Sequence, residues 1–291
     1  MGKAVAQGLG EAGFAIGILA RSPRTLEETQ ALLARDGVSS AVRVADVRDL
    51  GEVASAVGEI SNDLGPISTV VNNAGTSLAV GPVWEVDPED WWTDVETSLK
   101  GAFNVCRSVI PGMLAEGSGR ILNVSSYAGL RAAPYQSGYG SAKAGLANLT
   151  ESLNSSLRPF GIRVFTVTPG YVLTSLTKTL SESPAGRQWL PELSGREGLD
   201  LDLFIRLTVK IALGEADSLD GRFLHALDDL ADLVGQADQI ERENLYVPRL
   251  RRLRLWRIDG QSTRLPGTEV ADPPFVEKLL GRGCSDSVAS R

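Results

Sequence analysis

Short apolar runs without polar alternation recur along most of this chain, and stretches with helical periodicity lie between them. Runs rich in Val and Ile are typical of strands covered on both faces, and intervening helices supply the crossovers of a parallel sheet. The sequence therefore predicts an α/β fold with a doubly wound parallel sheet between two helical layers. The predicted strands cover residues 14–19, 41–45, 69–71, 120–124, 163–167 and 222–224, and the helices cover residues 25–35, 50–64, 88–114, 138–157 and 201–213.

Composition excludes several classes of function. The chain has 36 Asp and Glu residues against 29 Lys and Arg, a formal net charge of −7. This balance argues against nucleic acid as a partner, because binding phosphates requires a net basic face. Cys106, Cys284 and the single histidine, His225, are too few for a disulfide framework or a metal site. No stretch approaches the ~20 apolar residues of a membrane span, so we expect no membrane partner and a cytoplasmic location.

Strands and helices are predicted to alternate up to residue 237 and not beyond it, so the sequence divides into a domain and a C-terminal extension. We predict an α/β domain over residues 1–237 and a partly disordered C-terminal extension over residues 238–291. Inside the domain, residues 175–200 break the rhythm, and a loop of this length is typical of a lid or binding loop. Residues 249–257 alternate Arg with Leu, which suits an acidic surface or a lipid headgroup, or a terminal segment packed on its own domain.

Tyr139 and Lys143 are the pair of residues that most directly indicates acid/base chemistry. They are four residues apart, so on a helix they share one face. An ammonium ~4 Å from a phenol stabilises the phenolate by roughly 4 kcal/mol at an effective dielectric of ~20, or about three pK units. The pair therefore predicts a tyrosine with a pKa near neutrality, as a general acid or base for an alcohol and carbonyl pair requires. For an isolated pair, a solvated helix face is the alternative.

Five ordered motifs resemble the short-chain dehydrogenase/reductase superfamily, whose members have a Rossmann fold. They are Asn123-Val124-Ser125-Ser126, the Tyr139 to Lys143 segment, the strand-end run Asn72-Asn73-Ala74-Gly75, the pair Asp46-Val47, and the segment from Pro169 to Thr174. The resemblance spans roughly residues 1–229, so residues 1–237 would be the dinucleotide-binding and catalytic domain. It implies an NAD(P)-dependent oxidoreductase that interconverts a secondary alcohol and a ketone.

The resemblance also assigns roles to residues of this sequence. Ser126 would orient the small alcohol or ketone substrate, Tyr139 would transfer the proton, and Lys143 would lower the pKa of Tyr139 and hold the ribose. The remaining cofactor contacts would come from the phosphate turn, the adenine pair and the nicotinamide side, at Gly2, Asp46, Val47, Asn73, Ala74, Gly75, Pro169, Gly170, Val172 and Thr174.

Arg21 bears on which dinucleotide is bound. It follows the strand at the position where relatives that prefer NAD have an acidic residue, and an arginine there suits a 2′-phosphate. We therefore expect NADP(H) to be preferred, with NAD(H) as the second cofactor. A solvated arginine at a strand end is the alternative interpretation.

Two departures from the family pattern qualify the expected activity. Ser98 stands where the family has an asparagine that helps to hold a relay water, so we expect Ser98 to serve this catalytic role poorly or differently. The first strand and first glycines of the phosphate turn have no counterpart ahead of Gly2, which we interpret as a start assigned too late or a gene fragment. The contrasting hypothesis is a cofactor-poor binding or scaffold protein.

The resemblance also bears on the oligomeric state. In many relatives two long helices pair between subunits, which implies a homodimer or homotetramer.

Overall fold

The computed structural model describes residues 1–249, 257–258 and 261–262. Met1–Pro248 form one compact unit, which extends beyond the predicted boundary after residue 237 because Ile240 is buried in its core. The second unit begins at Arg249, and its described part is an antiparallel pair of short strands, Arg257–Ile258 and Gln261–Ser262. The predictions for the rest of the Arg and Leu stretch, for Cys284 and for the remainder of the tail lie outside the described residues.

All six predicted strands form, and each pairs in parallel. Strands β1 (Ile16–Ala20) and β2 (Ser40–Val44) make one pair, with Ile16 opposite Ser40. Strands β3 (Thr69–Asn72), β4 (Gly119–Val124), β5 (Ile162–Thr168) and β6 (Phe223–His225) make a sheet in that order. Because the strands are parallel, β3, β4 and β5 end at the same edge of this sheet, with Asn72 opposite Asn123 and Val124 opposite Val167.

Helices separate the strands, as the crossovers of parallel strands require. Several begin at a side-chain cap, such as Asp87, whose carboxylate accepts from the backbone N–H of Glu89. The helices are α1 (Gly2–Glu11), α2 (Pro23–Arg35), α3 (Leu50–Leu64), α4 (Pro88–Val95), α5 (Gly101–Glu116), α6 (Ser137–Leu157), α7 (Ser175–Glu182), α8 (Pro184–Trp189), α9 (Leu201–Ala212), α10 (Leu230–Gly235) and α11 (Ala237–Arg242).

The structure differs from the predicted elements at two places. The predicted helix over residues 88–114 is α4 and α5 joined by a π-helical turn, Glu96–Lys100. Residues 175–200, predicted as a loop, contain α7 and α8, each begun by a capping hydroxyl, Thr174 and Ser183 respectively. Short capped helices of six to eight residues carry too little apolar periodicity to be distinguished from a loop in the sequence.

The core has two apolar layers, one on each face of the sheet. On one face, Leu122 and Phe165 of the central strands pack with helices α1 and α9 through residues such as Phe204. On the other face, Ile121 and Val164 pack with helices α3, α5 and α6. Successive strand residues point to opposite faces, so the uninterrupted apolar runs supply both layers. The three-layer α/β fold is therefore confirmed.

A cavity of about 580 Å³ separates β1 from β3. Among the described residues β1 pairs only with β2, and β3 pairs only with β4, so their facing edges have no strand partner. The walls are largely apolar and come from both strands and from helices α1, α3 and α5, including Val5, Ile18, Ile60, Val71 and Val105. The sheet therefore has a gap between β1 and β3 among the described residues.

This gap predicts that an added strand stabilises the fold. Gly2 lies beside the residue that follows β3, because a Cβ on Gly2 would be 3.0 Å from Nδ2 of Asn73. Five Val and Ile residues joined ahead of Met1 by a short glycine turn would run parallel to β1 and β3. We expect Tm to rise by at least about 5 °C in thermal unfolding, since each kcal/mol shifts Tm by about 2–4 °C in a domain of this size.

The matched control carries the same added segment with proline at its second and fourth positions, which removes the backbone donors that pairing requires. An equal rise in Tm for both variants would contradict pairing in the gap.

Candidate active site

The end of β4 and the start of α6 bring Ser126 and Tyr139 together. Ser125 Oγ donates to the backbone carbonyl of Lys143 at 3.0 Å, which fastens the strand end to the helix. The 3₁₀ turn after Ser126 packs so closely on α6 that a Cβ on Gly129 would lie 2.6 Å from the carbonyl carbon of Lys143. With the backbones held in this way, Ser126 and Tyr139 lie in one cavity wall, and the Ser126 hydroxyl acts to lower the pKa of Tyr139.

Lys143 lies behind this pair in the interior. Its side chain is buried, and its Nζ donates to the carbonyl of Val124 at 2.7 Å. The same Nζ is 5.6 Å from the centre of the Tyr139 ring. Burial lowers the pKa of Lys143 from 10.5 to about 8, because water no longer solvates the ammonium. The helix spacing therefore places the two side chains together as the sequence predicts.

The predicted effect of Lys143 on Tyr139 is wrong for this structure. Burial raises the pKa of Tyr139 above its ordinary value, and the charge of Asp94 raises it further, against the opposing effect of the Ser126 hydrogen bond. The prediction assumed a fully charged ammonium in partly hydrated surroundings. In the structure Lys143 is itself desolvated, with a pKa of about 8.

Ser98 reaches this centre from the π-helical turn. Its hydroxyl is buried and has no hydrogen-bond partner. A Cβ on Gly75 would lie 3.2 Å from Oγ of Ser98 and 3.4 Å from Nζ of Lys143. Because Gly75 has no side chain, Ser98 Oγ and Lys143 Nζ can both lie next to its backbone and near each other. An unpartnered buried hydroxyl next to a buried amine is a group that a bound water or ligand would satisfy.

The run after β3 lines the 580 Å³ cavity with Asn73, Ala74 and Gly75. Oδ1 of Asn73 is buried and unpartnered, and its Nδ2 faces Gly2 at the start of α1. No side chain caps the first turn of α1. A helix N-terminus with uncapped N–H groups attracts anions such as phosphate. The resemblance assigns this end of the cavity to the pyrophosphate, and these groups fit that role.

The segments after β1 and β2 meet near the same cavity. Arg21, which is exposed, lowers the pKa of Asp46 through its charge, although the hydrogen bonds from Arg48 are the larger cause. Arg48 engages both carboxylate oxygens of Asp46, at 2.7 to 3.1 Å. The carbonyl of Val47 accepts from Nδ2 of Asn104 at 2.8 Å. The predicted adenine pair is thus held by two contacts within the protein.

The segment after β5 forms a tight turn beside Ser126. Pro169 is buried, and Gly170 has φ 72°, a conformation that favours glycine. A Cβ on Gly170 would also lie 2.6 Å from Cδ1 of Leu199. Val172 is buried and its carbonyl accepts from Thr177, while Thr174 caps α7. The predicted nicotinamide contacts therefore come together where β5 ends and α7 begins.

A second cavity of about 440 Å³ opens on Ser126 and Tyr139. The segment 175–200 forms much of its wall, and a role for these residues as a lid or binding segment stays a prediction. Tyr135 packs on Trp189 with ring centres 5.0 Å apart, which makes one wall aromatic. Sequence reasoning missed the charged lining residues Arg131, Glu192 and Arg196, which belong to no motif and come together only in the folded chain.

The remaining candidates have structural roles. His225 is buried and stacks on Tyr127, with ring centres 5.1 Å apart, and its Nδ1 accepts from the N–H of Leu227. Burial raises the pKa of the Cys106 thiol to about 11, so it stays protonated.

Across the described residues there is no cluster of three side chains able to hold a metal ion. Within the same part of the chain, no helix is both long and apolar enough to cross a membrane.

The site geometry agrees with a comparison against protein families. The family model for short chain dehydrogenases matches residues 1–185. The chain belongs to the short-chain dehydrogenase family. Its parallel sheet, the serine after β4, and the tyrosine and lysine on α6 are consistent with this membership.

Individual relatives of this short-chain dehydrogenase support the same conclusion. A 3-oxoacyl-[acyl-carrier-protein] reductase of Staphylococcus aureus is 30% identical over 227 residues, which are 77% of this chain and 91% of the relative. A gluconate 5-dehydrogenase of Burkholderia cenocepacia, solved with NADP and tartrate, is 32% identical with a TM-score of 0.67, over 77% of this chain and 88% of that chain. An NAD⁺-bound xylitol dehydrogenase gives a TM-score of 0.71 at 27% identity, over 77% of this chain and 92% of that chain.

Burial of Lys143 predicts a specific dependence of stability on pH. Its folded pKa of about 8 is below the ordinary 10.5, so between these values the unfolded chain binds more protons than the folded chain. The cost of burying the ammonium is therefore complete below the folded pKa and fades as the pH rises. Relative to Lys143→Met, the free energy of unfolding of the native sequence should gain about 2 kcal/mol between about pH 7 and 9.5.

Chemical denaturation across this pH range measures the difference between the two proteins. Lys178→Met is the control, because Lys178 is exposed on α7 and pairs only with Glu182 at 3.9 Å. A difference that stays flat with pH for Lys143→Met would contradict a desolvated ammonium.

Proposed function

We propose that this short-chain dehydrogenase interconverts a ketone and a secondary alcohol, with Ser126, Tyr139 and Lys143 as its reacting centre. The observation that carries the proposal is that Ser126 and Tyr139 share the wall of the 440 Å³ cavity, with Nζ of buried Lys143 5.6 Å from the centre of the Tyr139 ring. The nicotinamide of a bound dinucleotide supplies or accepts the hydride. The relatives named above include a reductase of oxo groups and dehydrogenases, which agrees with this reaction class.

Each residue then has a distinct task. Ser126 Oγ donates a hydrogen bond to the carbonyl oxygen and holds it against Tyr139. The Tyr139 hydroxyl gives its proton to that oxygen as the carbon is reduced, and takes the proton back in the reverse direction. Lys143 lies one turn along α6, with its Nζ 5.6 Å from the centre of the Tyr139 ring, where it would hold the ribose of the dinucleotide. Ser98, beside Lys143, is the hydroxyl through which a water would return a proton.

The raised pKa of Tyr139 supports reduction as the favoured direction near neutral pH. Burial raises the pKa of Tyr139, and the protonated phenol is the form that donates to a carbonyl oxygen. Oxidation needs the tyrosinate instead, so its rate should increase with pH until Tyr139 ionises. Lys143, with a pKa of about 8, becomes neutral on the way and can then accept a proton.

We also propose NADP(H) as the preferred dinucleotide, with NAD(H) as the second. Arg21 is exposed where β1 ends, lines the 580 Å³ cavity, and has no carboxylate within salt-bridge distance among the described residues. A guanidinium in this position suits the additional phosphate of NADP. The solved relatives bind NADP in one case and NAD⁺ in the other.

Self-association and location complete the proposal. We propose a homodimer or homotetramer formed through the long helical segment of α4 and α5, where Trp92 and Phe103 are 57% and 48% exposed. Exposed aromatic side chains of this size are typical of protein interfaces.

A cytoplasmic location is our proposal from the acidic composition and the two cysteines.

Removing the Tyr139 hydroxyl tests the mechanism. We expect Tyr139→Phe to lower kcat for ketone reduction by about 10²–10⁴-fold, the usual contribution of a positioned general acid. The dissociation constant for NADPH, measured by fluorescence titration, should change by less than about threefold, since a factor of three is under 1 kcal/mol.

Tyr135→Phe is the matched control, because it removes a phenolic hydroxyl from the same cavity. Comparable losses of kcat in the two variants would mean that Tyr139 is not the proton donor.

Reversing the charge at Arg21 tests the cofactor preference. Arg21→Asp should raise KM for NADPH at least about 30-fold relative to KM for NADH, because one charge-assisted pair is replaced by repulsion from the phosphate. Arg24→Asp is the control, as Arg24 is exposed in the next helix and pairs with Glu28 at 3.8 Å. Equal changes in both KM values for Arg21→Asp would overturn the preference.

A further inference from the structure

Two arginines line the cavity that contains Ser126 and Tyr139. Arg131 follows the 3₁₀ turn after β4, and Arg196 follows the 3₁₀ turn Pro191–Leu193 after α8. Both contribute to the wall of the 440 Å³ cavity, although they are separated by 65 positions in sequence. The fold thus brings two cationic groups to the cavity from different segments.

Neither guanidinium is neutralised by a carboxylate of the described residues. Other arginines of the chain do bind carboxylates, such as Arg120 with Asp217 at 2.6 Å and Arg43 with Glu59. The guanidinium of Arg196 instead stacks on the ring of Tyr171, 4.4 Å from its centre. Stacking fixes the plane of the guanidinium and leaves its edge N–H groups directed away from the ring.

The positive charge of this cavity contrasts with the negative net charge of the chain. Glu192 is the one acidic lining residue, so the cavity wall has an excess of one positive charge in a protein of net charge −7. The rest of the wall combines aromatic and aliphatic side chains, Tyr135, Trp189 and Leu193 among them, with polar ones such as Gln136 and Thr168. A concave site with a few polar groups that orient a ligand is typical of small-molecule binding, and here the reacting pair and the two arginines supply such groups.

We propose that the substrate is an oxo acid or hydroxy acid whose carboxylate binds Arg131 and Arg196 while its carbonyl or hydroxyl lies between Ser126 and Tyr139. This inference rests on the proposed function and adds the class of substrate. The planar guanidinium fork matches a carboxylate through two parallel hydrogen bonds. The apolar walls contact the carbon chain between the two polar ends.

The test compares each oxo acid with its own methyl ester, from 3-oxo to 6-oxo acids, by NADPH absorbance. Acid and ester differ in charge and little in shape. We expect kcat/KM for the acid of the best length to exceed that of its ester by at least about tenfold, the equivalent of about 1.4 kcal/mol. Added salt should reduce the advantage of the acid, because both arginines are exposed to solvent.

Variants of the charged lining give changes of opposite sign. Arg131→Gln and Arg196→Gln should each raise KM for the acid about tenfold more than KM for the ester. Glu192→Gln removes the repulsive charge and should lower KM for the acid. Arg206→Gln is the matched control, since Arg206 is exposed on α9 outside the cavity, and it should change neither.

The outcomes separate this inference from the proposed function. Turnover of acids and esters with equal kcat/KM, and no differential effect of the arginine variants, would overturn the inference and leave the function intact. No turnover of any ketone would overturn the function. In that case binding is followed by tryptophan fluorescence, with Trp189→Phe to identify the signal from this cavity. Saturable binding of acids but not esters supports the carboxylate site, and equal or absent binding of both overturns it.

Discussion

A buried chain of side-chain hydrogen bonds joins strands β3 and β4 to α6, the helix that bears Tyr139 and Lys143. Asn72 Nδ2 donates to Oδ1 of Asn123 at 2.8 Å, and Asn123 Nδ2 donates to Oγ1 of Thr150 on α6 at 2.9 Å. Asn123 and Thr150 are fully buried, so losing one partner would leave a costly unsatisfied group. The network therefore fixes how α6 lies against β3 and β4. The shared position of Ser126 and Tyr139 in the cavity wall and the burial of Lys143 depend on that fixed placement.

The same rigidity explains the electrostatics of the site. Lys143 spans from α6 to the carbonyl of Val124, a geometry that removes it from water and lowers its pKa to about 8. Tyr139 shares the dry environment, so its pKa is raised. The raised pKa of Tyr139 and the lowered pKa of the neighbouring Lys143 suit a proton donor next to a second group that can lose and regain a proton. Dry surroundings also strengthen the hydrogen bond that Ser126 offers to a developing charge.

Much of the fold and the core of the site followed from local patterns. The uninterrupted apolar run over residues 120–124 predicts a central strand, and the spacing from Tyr139 to Lys143 predicts a shared helix face. The π-helical turn that carries Ser98 and the helices α7 and α8 were missed, because tertiary packing decides them and their sequences carry little periodicity. The raised pKa of Tyr139 was missed because spacing gives a distance between charges, whereas burial sets their hydration. Arg131 and Arg196 line one cavity through the fold alone.

The central claim is that the strand ends of this short-chain dehydrogenase assemble a centre for hydride transfer to a carbonyl carbon. The most direct test uses NADPH that carries deuterium at the transferable position of the nicotinamide ring, with the ketone that is reduced fastest. Mass spectrometry and NMR then locate the label. The account predicts one deuterium on the carbinol carbon of the alcohol product, with the hydroxyl proton derived from solvent through Tyr139. An alcohol product without the label, or no alcohol product from any ketone, would contradict the account.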